Sequence, residues 1–372
     1  MELANGLVAQ GVEVGLVFHP ENARQQMGEE YGNILDPKVK ILHPPGKHTS
    51  KPWTCSAWKN IRWFPRICKE FKPDVIHLQA TNDFASLWTA WKTSLSMTVT
   101  IHDVTAHPGD EKHQTPLFLT VVKKLLIPRA IRRGIQFITH GEILRRALAK
   151  EMALPLESIH SVAHGVLRFS ETSSSEASAV APLPATPMAL FFGRMEKYKG
   201  LHVLVDAIPL VQKQYPQATF VIAGRGPALL EQKETLRALP QVQVMDHYLS
   251  QEEVDTLYRR ASINLVPYVE ASQSGVIATG FAYGVPAVAS NIGALSEVVV
   301  PGENGCLVEP GNAQDLADAI LSVFQNREKL QSLRQGAVAW AKGPLNWETL
   351  AGQTASVYQT AISAKAKSAP PR

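Results

Sequence analysis

Short apolar runs alternate with amphipathic stretches along almost the whole chain, and this alternation restricts the fold more than any other feature. In the first half, Val12–Phe18, Val75–Leu78, Thr98–Ile101 and Gln136–Thr139 read as strands, with helical spacing over Phe84–Lys92 and Gly141–Glu151. In the second half, Ala189–Phe192, Thr219–Ala223, Val242–Met245, Ile263–Val266 and Ala287–Ala289 read as strands. Leu201–Tyr215, Gln251–Ala261, Gly275–Tyr283 and Ala313–Asn326 read as helices between and after them. Strands that are apolar throughout are buried on both faces, which is the pattern of parallel sheets covered by helices.

Between the halves, Ser170–Pro187 is rich in Ser, Ala and Pro and has no hydrophobic period, so it reads as a linker. The expected fold is α/β: two Rossmann-like doubly wound domains facing a cleft, residues 1–169 and 188–345, joined by 170–187. Trp347–Ala364 sets Leu350, Ala351, Val357, Tyr358 and Ile362 at helical intervals. That predicts a helix over 346–364 crossing back to the first domain, with 365–372 as a frayed tail. The chain opens on a helical pattern, Glu2–Gln10, ended by Gly11. A doubly wound domain ordinarily opens on a strand and a Gly-rich turn, so the first domain is expected to lack its first strand.

Charge is unevenly spread. The total is +4, but residues 1–170 hold 21 basic and 15 acidic residues, and the remainder 16 and 18. So small a surplus argues against a dedicated nucleic-acid binder. The basic residues cluster in Lys51–Lys72, interleaved with Trp53, Trp58 and Trp63, and in Val121–Gly134. Such stretches suit a membrane interface, single-stranded nucleic acid or a solvated basic face. No run approaches the roughly 20 apolar residues that span a bilayer. The start has no basic segment followed by an apolar one, and the 3 cysteines are widely separated. A reducing, cytoplasmic setting is therefore expected.

Four segments can carry chemistry. Gly193–Gly200 follows a strand and opens a helix, setting Arg194 and Lys199 where open α/β sheets bind ligands. The pair suits a diphosphate or is an ordinary charged loop. Ala223-Gly224-Arg225-Gly226-Pro227 allows a tight turn and close backbone approach to a ligand, and equally a plain turn. In Pro267–Val276, Ser272 or Ser274 can cap the next helix, leaving the Gly275 and Val276 amides for phosphate or sugar oxygens. Glu270 there is a candidate acceptor for sugar hydroxyls. In the first half, His102 stands at a strand tip beside Asp103 and can exchange hydrogen bonds with a reacting group. A metal reading of His102, Asp103 and His107 is poor, because the spacing matches no common zinc pattern. His77, His140 and His164 read as structural. No G-x-G-x-x-G follows a strand with an acid some 20 positions on, which disfavours a nicotinamide oxidoreductase.

Taken in order, Gly193-Arg194…Lys199-Gly200, Ala223-Gly224-x-Gly226-Pro227, Pro267-Tyr268…Ser274-Gly275-Val276…Gly284-Val285-Pro286 and Gly302-Glu303-Asn304-Gly305…Pro310-Gly311-Asn312 resemble the glycosyltransferases of family 4. Pro73–His77, His102-Asp103 and Ala163–Val166 resemble it more loosely. The resemblance implies the GT-B fold and transfer of a sugar from a nucleotide diphosphate donor, with retention, to a polysaccharide or lipid-linked acceptor. It implies no metal or other cofactor, and no nucleic-acid partner. It suggests peripheral contact with an anionic membrane at the inner face of the cytoplasmic membrane. It places Arg194, Lys199, Ser274, Gly275, Val276, Gly224 and Gly226 on the donor, with Glu270 and His102 as catalytic residues near the donor sugar. The family commonly has a second glutamate, on the ribose, where Thr279 stands here, so a weaker hydroxyl contact is expected. A degenerate sugar-nucleotide-binding or scaffold protein is the alternative.

Overall fold

In the computed structural model the described residues are 1–18, 34–47, 53–79, 88, 92–104, 127–166 and 186–368. They fall into two compact units. One takes the chain from Met1 to Val104, on to Ala163 and again from Trp347; the other runs from His164 to Asn346. The change of unit thus comes ahead of residue 169, because the Val166 amide already donates to the Leu345 carbonyl of the second unit (3.2 Å). Of Ser170–Pro187 only Thr186 and Pro187 are described, and of Phe84–Lys92 only Trp88 and Lys92; the rest of both segments, like His107, lies outside the described residues.

The first unit opens with helix α1 (Glu2–Ala9) and a parallel strand pair, β1 (Gly15–Val17) and β2 (Lys40–Leu42). Val12–Phe18 is therefore strand over three residues only; Val12 packs instead beside Leu7 and Tyr358. Helix α2 (Cys55–Phe71) follows, capped by the Thr54 hydroxyl, which accepts from the Ala57 amide. Then come β3 (Val75–Leu78), β4 (Ser96–Ile101), α3 (Ile127–Arg132), β5 (Gln136–Thr139), α4 (Glu142–Met152) and β6 (Ile159–Ser161). The four strands form one parallel sheet in the order β3-β4-β5-β6.

The second unit comprises β7 (Met188–Phe192), α5 (Leu201–Gln214), β8 (Thr219–Ala223), α6 (Pro227–Ala238), β9 (Val242–Met245), α7 (Gln251–Arg260), β10 (Ile263–Val266), α8 (Gly275–Ala282), β11 (Ala287–Ser290), α9 (Leu295–Val298), β12 (Gly305–Val308), α10 (Ala313–Phe324) and α11 (Arg327–Lys342). Its strands lie all parallel in the order β12-β11-β10-β7-β8-β9. Successive residues face opposite sides, so a run of apolar residues fills two cores at once. Ala189, Phe191, Phe220 and Ile222 enter the core under α5 and α10, while Met188, Leu190, Val221 and Ala223 enter that under α7. This explains why these strands read as continuous apolar runs.

The last helix, α12 (Trp347–Ser368), belongs to the first unit. Ala351 and Tyr358 pack with Leu7 of α1, and Leu350 and Val357 with Ile138 and Val162 of the sheet. Gly6 lets the two helices touch: a Cβ there would lie 2.7 Å from the Trp347 carbonyl oxygen. The helix runs four residues past Ala364 because Lys365–Ser368 still contains strong helix formers.

Candidate functional site

In a doubly wound sheet the ligand crevice opens outside the carboxyl ends of the two strands where the order reverses. Here those strands are β7 and β10, paired through Ala189 with Ile263 and Leu190 with Asn264. Gly193–Gly200 leaves the end of β7, and Pro267–Ser274 leaves the end of β10. Sheet order alone therefore brings the two most informative sequence segments together.

The two loops are locked to each other by backbone. The Val269 amide donates to the Tyr198 carbonyl (2.8 Å). Gly200 is left-handed (φ 72°), and a Cβ on it would stand 1.9 Å from the Pro267 carbonyl oxygen. The same holds one strand over. A Cβ on Gly224 would stand 1.9 Å from the Gly193 oxygen, and one on Gly226 2.6 Å from the Met195 oxygen. The Met195 amide donates to the Arg225 carbonyl (2.9 Å). At both glycines the missing Cβ makes room for the chain's own 193–195 backbone.

Lys199 is buried, 7% exposed, at the bottom of this arrangement. Its Nζ sits 5.5 Å from the centre of the Tyr268 ring, over its face. Among the described residues no carboxylate forms an ion pair with it. Burial, helped by the nearby Arg194 charge, pushes its pKa down to about 8, against a weaker opposite pull from Glu196. Tyr268 is itself pushed up to about 12 by burial, so it stays neutral and its hydroxyl lies 3.4 Å from Ser274 Oγ. Arg194 and Glu270 are exposed around this buried ammonium.

Helix α8 starts beside it. Ser274 is the N-cap residue, but its side chain makes no capping bond. The Gly275 and Val276 amides, at the positive end of the helix, are thus left for an incoming acceptor. The Cβ position of Gly193 lies 2.8 Å from Lys199 Nζ and 3.8 Å from Val276 Cγ2, which puts the ammonium and the first turn of α8 in one place. Thr279, one turn further on, is 2% exposed, and its hydroxyl donates to the Gly275 carbonyl (2.9 Å).

Two residues of this site carry no role in the sequence analysis. Tyr268 floors the Lys199 pocket. Asn264, fully buried in β10, donates to the Val276 carbonyl (2.8 Å) and so ties α8 to the strand. The only sign of Asn264 in the sequence is a polar residue inside Ile-Asn-Leu-Val.

In the first unit, His102 follows β4. Its Nε2 is 3.0 Å from the Gln79 carbonyl oxygen and its Nδ1 is 3.0 Å from His140 Nε2. His77 lies half-buried between Tyr358 Oη and Thr100 Oγ1, each 2.7 Å away, and loss of solvent, with the His102 charge second, pushes its pKa down to about 4. His77 is therefore a neutral structural residue. Among the described residues, no three His, Cys, Asp or Glu side chains gather as metal ligands.

At its reversal point this doubly wound α/β sheet holds a buried ammonium with no ion pair among the described residues and a helix start without a side-chain cap. Comparisons with known proteins agree with that class and narrow it. Residues 1–166 match the family model described as Glycosyltransferase Family 4, and residues 186–326 that described as Glycosyl transferases group 1. The chain belongs to the family 4, group 1 glycosyltransferases.

A glycogen synthase of Mycobacterium tuberculosis is 32% identical over 175 residues, which are 46% of this chain and 42% of that protein. This chain thus spans less than half the length of that relative. A phosphatidyl-myo-inositol mannosyltransferase of Mycobacterium leprae is 27% identical over 79% of this chain and 75% of its own. Among solved structures, sucrose-phosphate synthase from Thermosynechococcus elongatus superposes with TM-score 0.71 at 20% identity, over 98% of this chain and 92% of that one. Anabaena HepE in complex with UDP-glucose gives 0.68 at 18%, over 96% and 95%. The fold is GT-B.

Proposed function

We propose that the protein is a retaining glycosyltransferase that moves a sugar from a nucleotide diphosphate donor to a polysaccharide or lipid-linked acceptor. The observation that carries this is Lys199: a buried ammonium without a carboxylate, set against the free amides of α8. Such a charge is unfavourable unless an anion completes it, and a diphosphate has the size and charge to do so. Arg194, exposed at the rim, adds a bidentate contact. As the glycosidic bond breaks, negative charge grows on the leaving diphosphate, and these fixed donors stabilise it most at that moment. They supply the charge that a metal would otherwise bring, so no cofactor is required. Glu270 accepts hydrogen bonds from the donor sugar, and His102 is the second catalytic candidate. Ser274 contributes its hydroxyl beside the phosphates.

Incubation with radiolabelled UDP-, GDP- and ADP-sugars tests this reading, with and without added chelator. One donor is expected to bind and be turned over, and NMR of the product should show the anomeric configuration of the donor kept. No binding of any donor would end the enzyme reading; binding without turnover would favour a sugar-nucleotide-binding protein instead, the reading suggested by Thr279 standing where the family commonly has a glutamate.

The acceptor side is proposed to meet the cytoplasmic face of an anionic membrane. On α2, Trp58, Lys59, Arg62, Arg66 and Lys69 recur at helical spacing on the exposed side, and Trp53 before it is 76% exposed. Exposed Trp beside basic residues is the composition of an interfacial helix. No helix among the described residues is long and apolar enough to cross a membrane. The lipid-directed name of the Mycobacterium leprae relative supports the same reading. The protein should sediment with vesicles containing anionic lipid and not with neutral ones. Trp53→Ser with Trp58→Ser should release it, and retention by the double variant would remove α2 as the contact.

A further inference from the structure

His102 and His140 form a chain of two imidazoles closed at both ends by carbonyl oxygens. His140 Nδ1 lies 3.0 Å from the Val162 carbonyl oxygen, and His140 Nε2 lies 3.0 Å from His102 Nδ1. His102 Nε2 lies 3.0 Å from the Gln79 carbonyl oxygen. A carbonyl oxygen only accepts, so both outer nitrogens must carry hydrogens. The inner contact needs one hydrogen, and two would collide. Three hydrogens on four ring nitrogens is one more than two neutral imidazoles hold.

We propose that His140 is a positioning residue for His102, and that the two rings share one extra proton and one positive charge. Resting its importance on the role proposed above for His102, the device does two things. The His140 Nε2–H, donated to His102 Nδ1, fixes His102 as the Nε2–H tautomer. That leaves a hydrogen-bond donor at the outer end of the pair, held by the Gln79 carbonyl, which can be exchanged for a sugar oxygen. The shared charge also strengthens that donor.

The charged neighbours are compatible with this. His77 on β3 is neutral, as burial requires. Glu142 and Arg145, on the helix after His140, are bound to each other (3.1 Å), and Arg145 also donates to the Ile159 and Leu156 carbonyls. Asp103 beside His102 is exposed and adds negative potential. Tyr358 on α12 is held neutral by burial.

The test is nitrogen NMR of the full chain with labelled histidine near pH 7, its signals assigned through His102→Gln and His140→Gln. Both His140 nitrogens are expected to show N–H shifts, and His102 to show the Nε2–H tautomer with Nδ1 accepting. His140→Gln retains a donor to Nδ1 and should keep that tautomer without the charge, whereas His140→Phe should lose it. In transfer assays His140→Phe should lower kcat by roughly 10- to 100-fold with donor KM unchanged, the scale of a mispositioned group, and His140→Gln should recover part of it. A His102 Nδ1–H tautomer, or two neutral rings, overturns the proposal. Because the spectra need no substrate, a pair seen without any donor turnover would refute the transferase reading alone. Turnover with the wrong tautomer would refute this inference alone.

Discussion

Replacing Lys199 with methionine is expected to abolish donor binding and, at the same pH, to raise the melting temperature of the unit that holds it. Methionine has nearly the same length, so it fills the space above the Tyr268 ring without a charge. The sign of the stability change follows from the titration. Burial holds the folded pKa at about 8 against an ordinary value of 10.5. The unfolded chain therefore binds more protons between about pH 8 and 10.5, and the lysine's contribution to stability rises across that window. Below pH 8 the buried ammonium is a burden on the order of 3 kcal/mol, from about 1.4 kcal/mol per pKa unit. Calorimetry at pH 7 should show the gain in Lys199→Met and should show it shrink towards pH 10. Donor affinity in the natural protein should move the opposite way: it should fall about tenfold per pH unit above pH 8, as the ammonium that meets the diphosphate is lost. A variant that loses stability together with binding would mean that Lys199 holds the fold rather than serving the ligand.

That trade also explains what could and could not be read from the sequence. The parallel sheet of the second unit was legible because both its faces are covered, so strands such as Met188–Phe192 and Thr219–Ala223 are unbroken apolar runs. Gly193–Gly200 and Pro267–Ser274 were each legible as candidate segments, but that they are neighbours follows only from the pairing of β7 with β10. No helix is expected from the sequence over α2, because Pro65 lies inside it. Strands β2 and β6 are three residues each, too short for a period to show. The roles of single side chains were least legible. Gly224 and Gly226 fit a ligand loop and a backbone crossing equally well in the sequence, which does not show the Gly193 and Met195 carbonyls that stand against them. The hydroxyl of Thr279 has two directions to point, and only coordinates show that it bonds Gly275. The bond between His102 and His140 joins residues 38 apart and has no local signature at all.

Gly200→Ala should be among the most damaging small substitutions in the second unit. The residue is left-handed (φ 72°), and its missing Cβ would stand 1.9 Å from the Pro267 carbonyl oxygen. Two effects add. The left-handed backbone alone costs an alanine about 1–2 kcal/mol. The contact is with backbone on both sides, so no flexible side chain can move aside, and the loops after β7 and β10 must separate. Together these should exceed about 4 kcal/mol, a range reached only when packing or backbone geometry is broken outright. At roughly 2–4 °C per kcal/mol for a unit of this size, the melting temperature should drop by about 8 °C or more. Gly311 is the control, since it is also left-handed (φ 77°) but has nothing within 4 Å of its Cβ position. Gly311→Ala should therefore lose only the backbone share and leave donor binding intact, while Gly200→Ala should lose binding as well, because Lys199 and the Tyr198–Val269 tie are carried on the displaced loop. Equal melting shifts in the two variants would show that the close approach to Pro267 is not what makes glycine necessary at position 200.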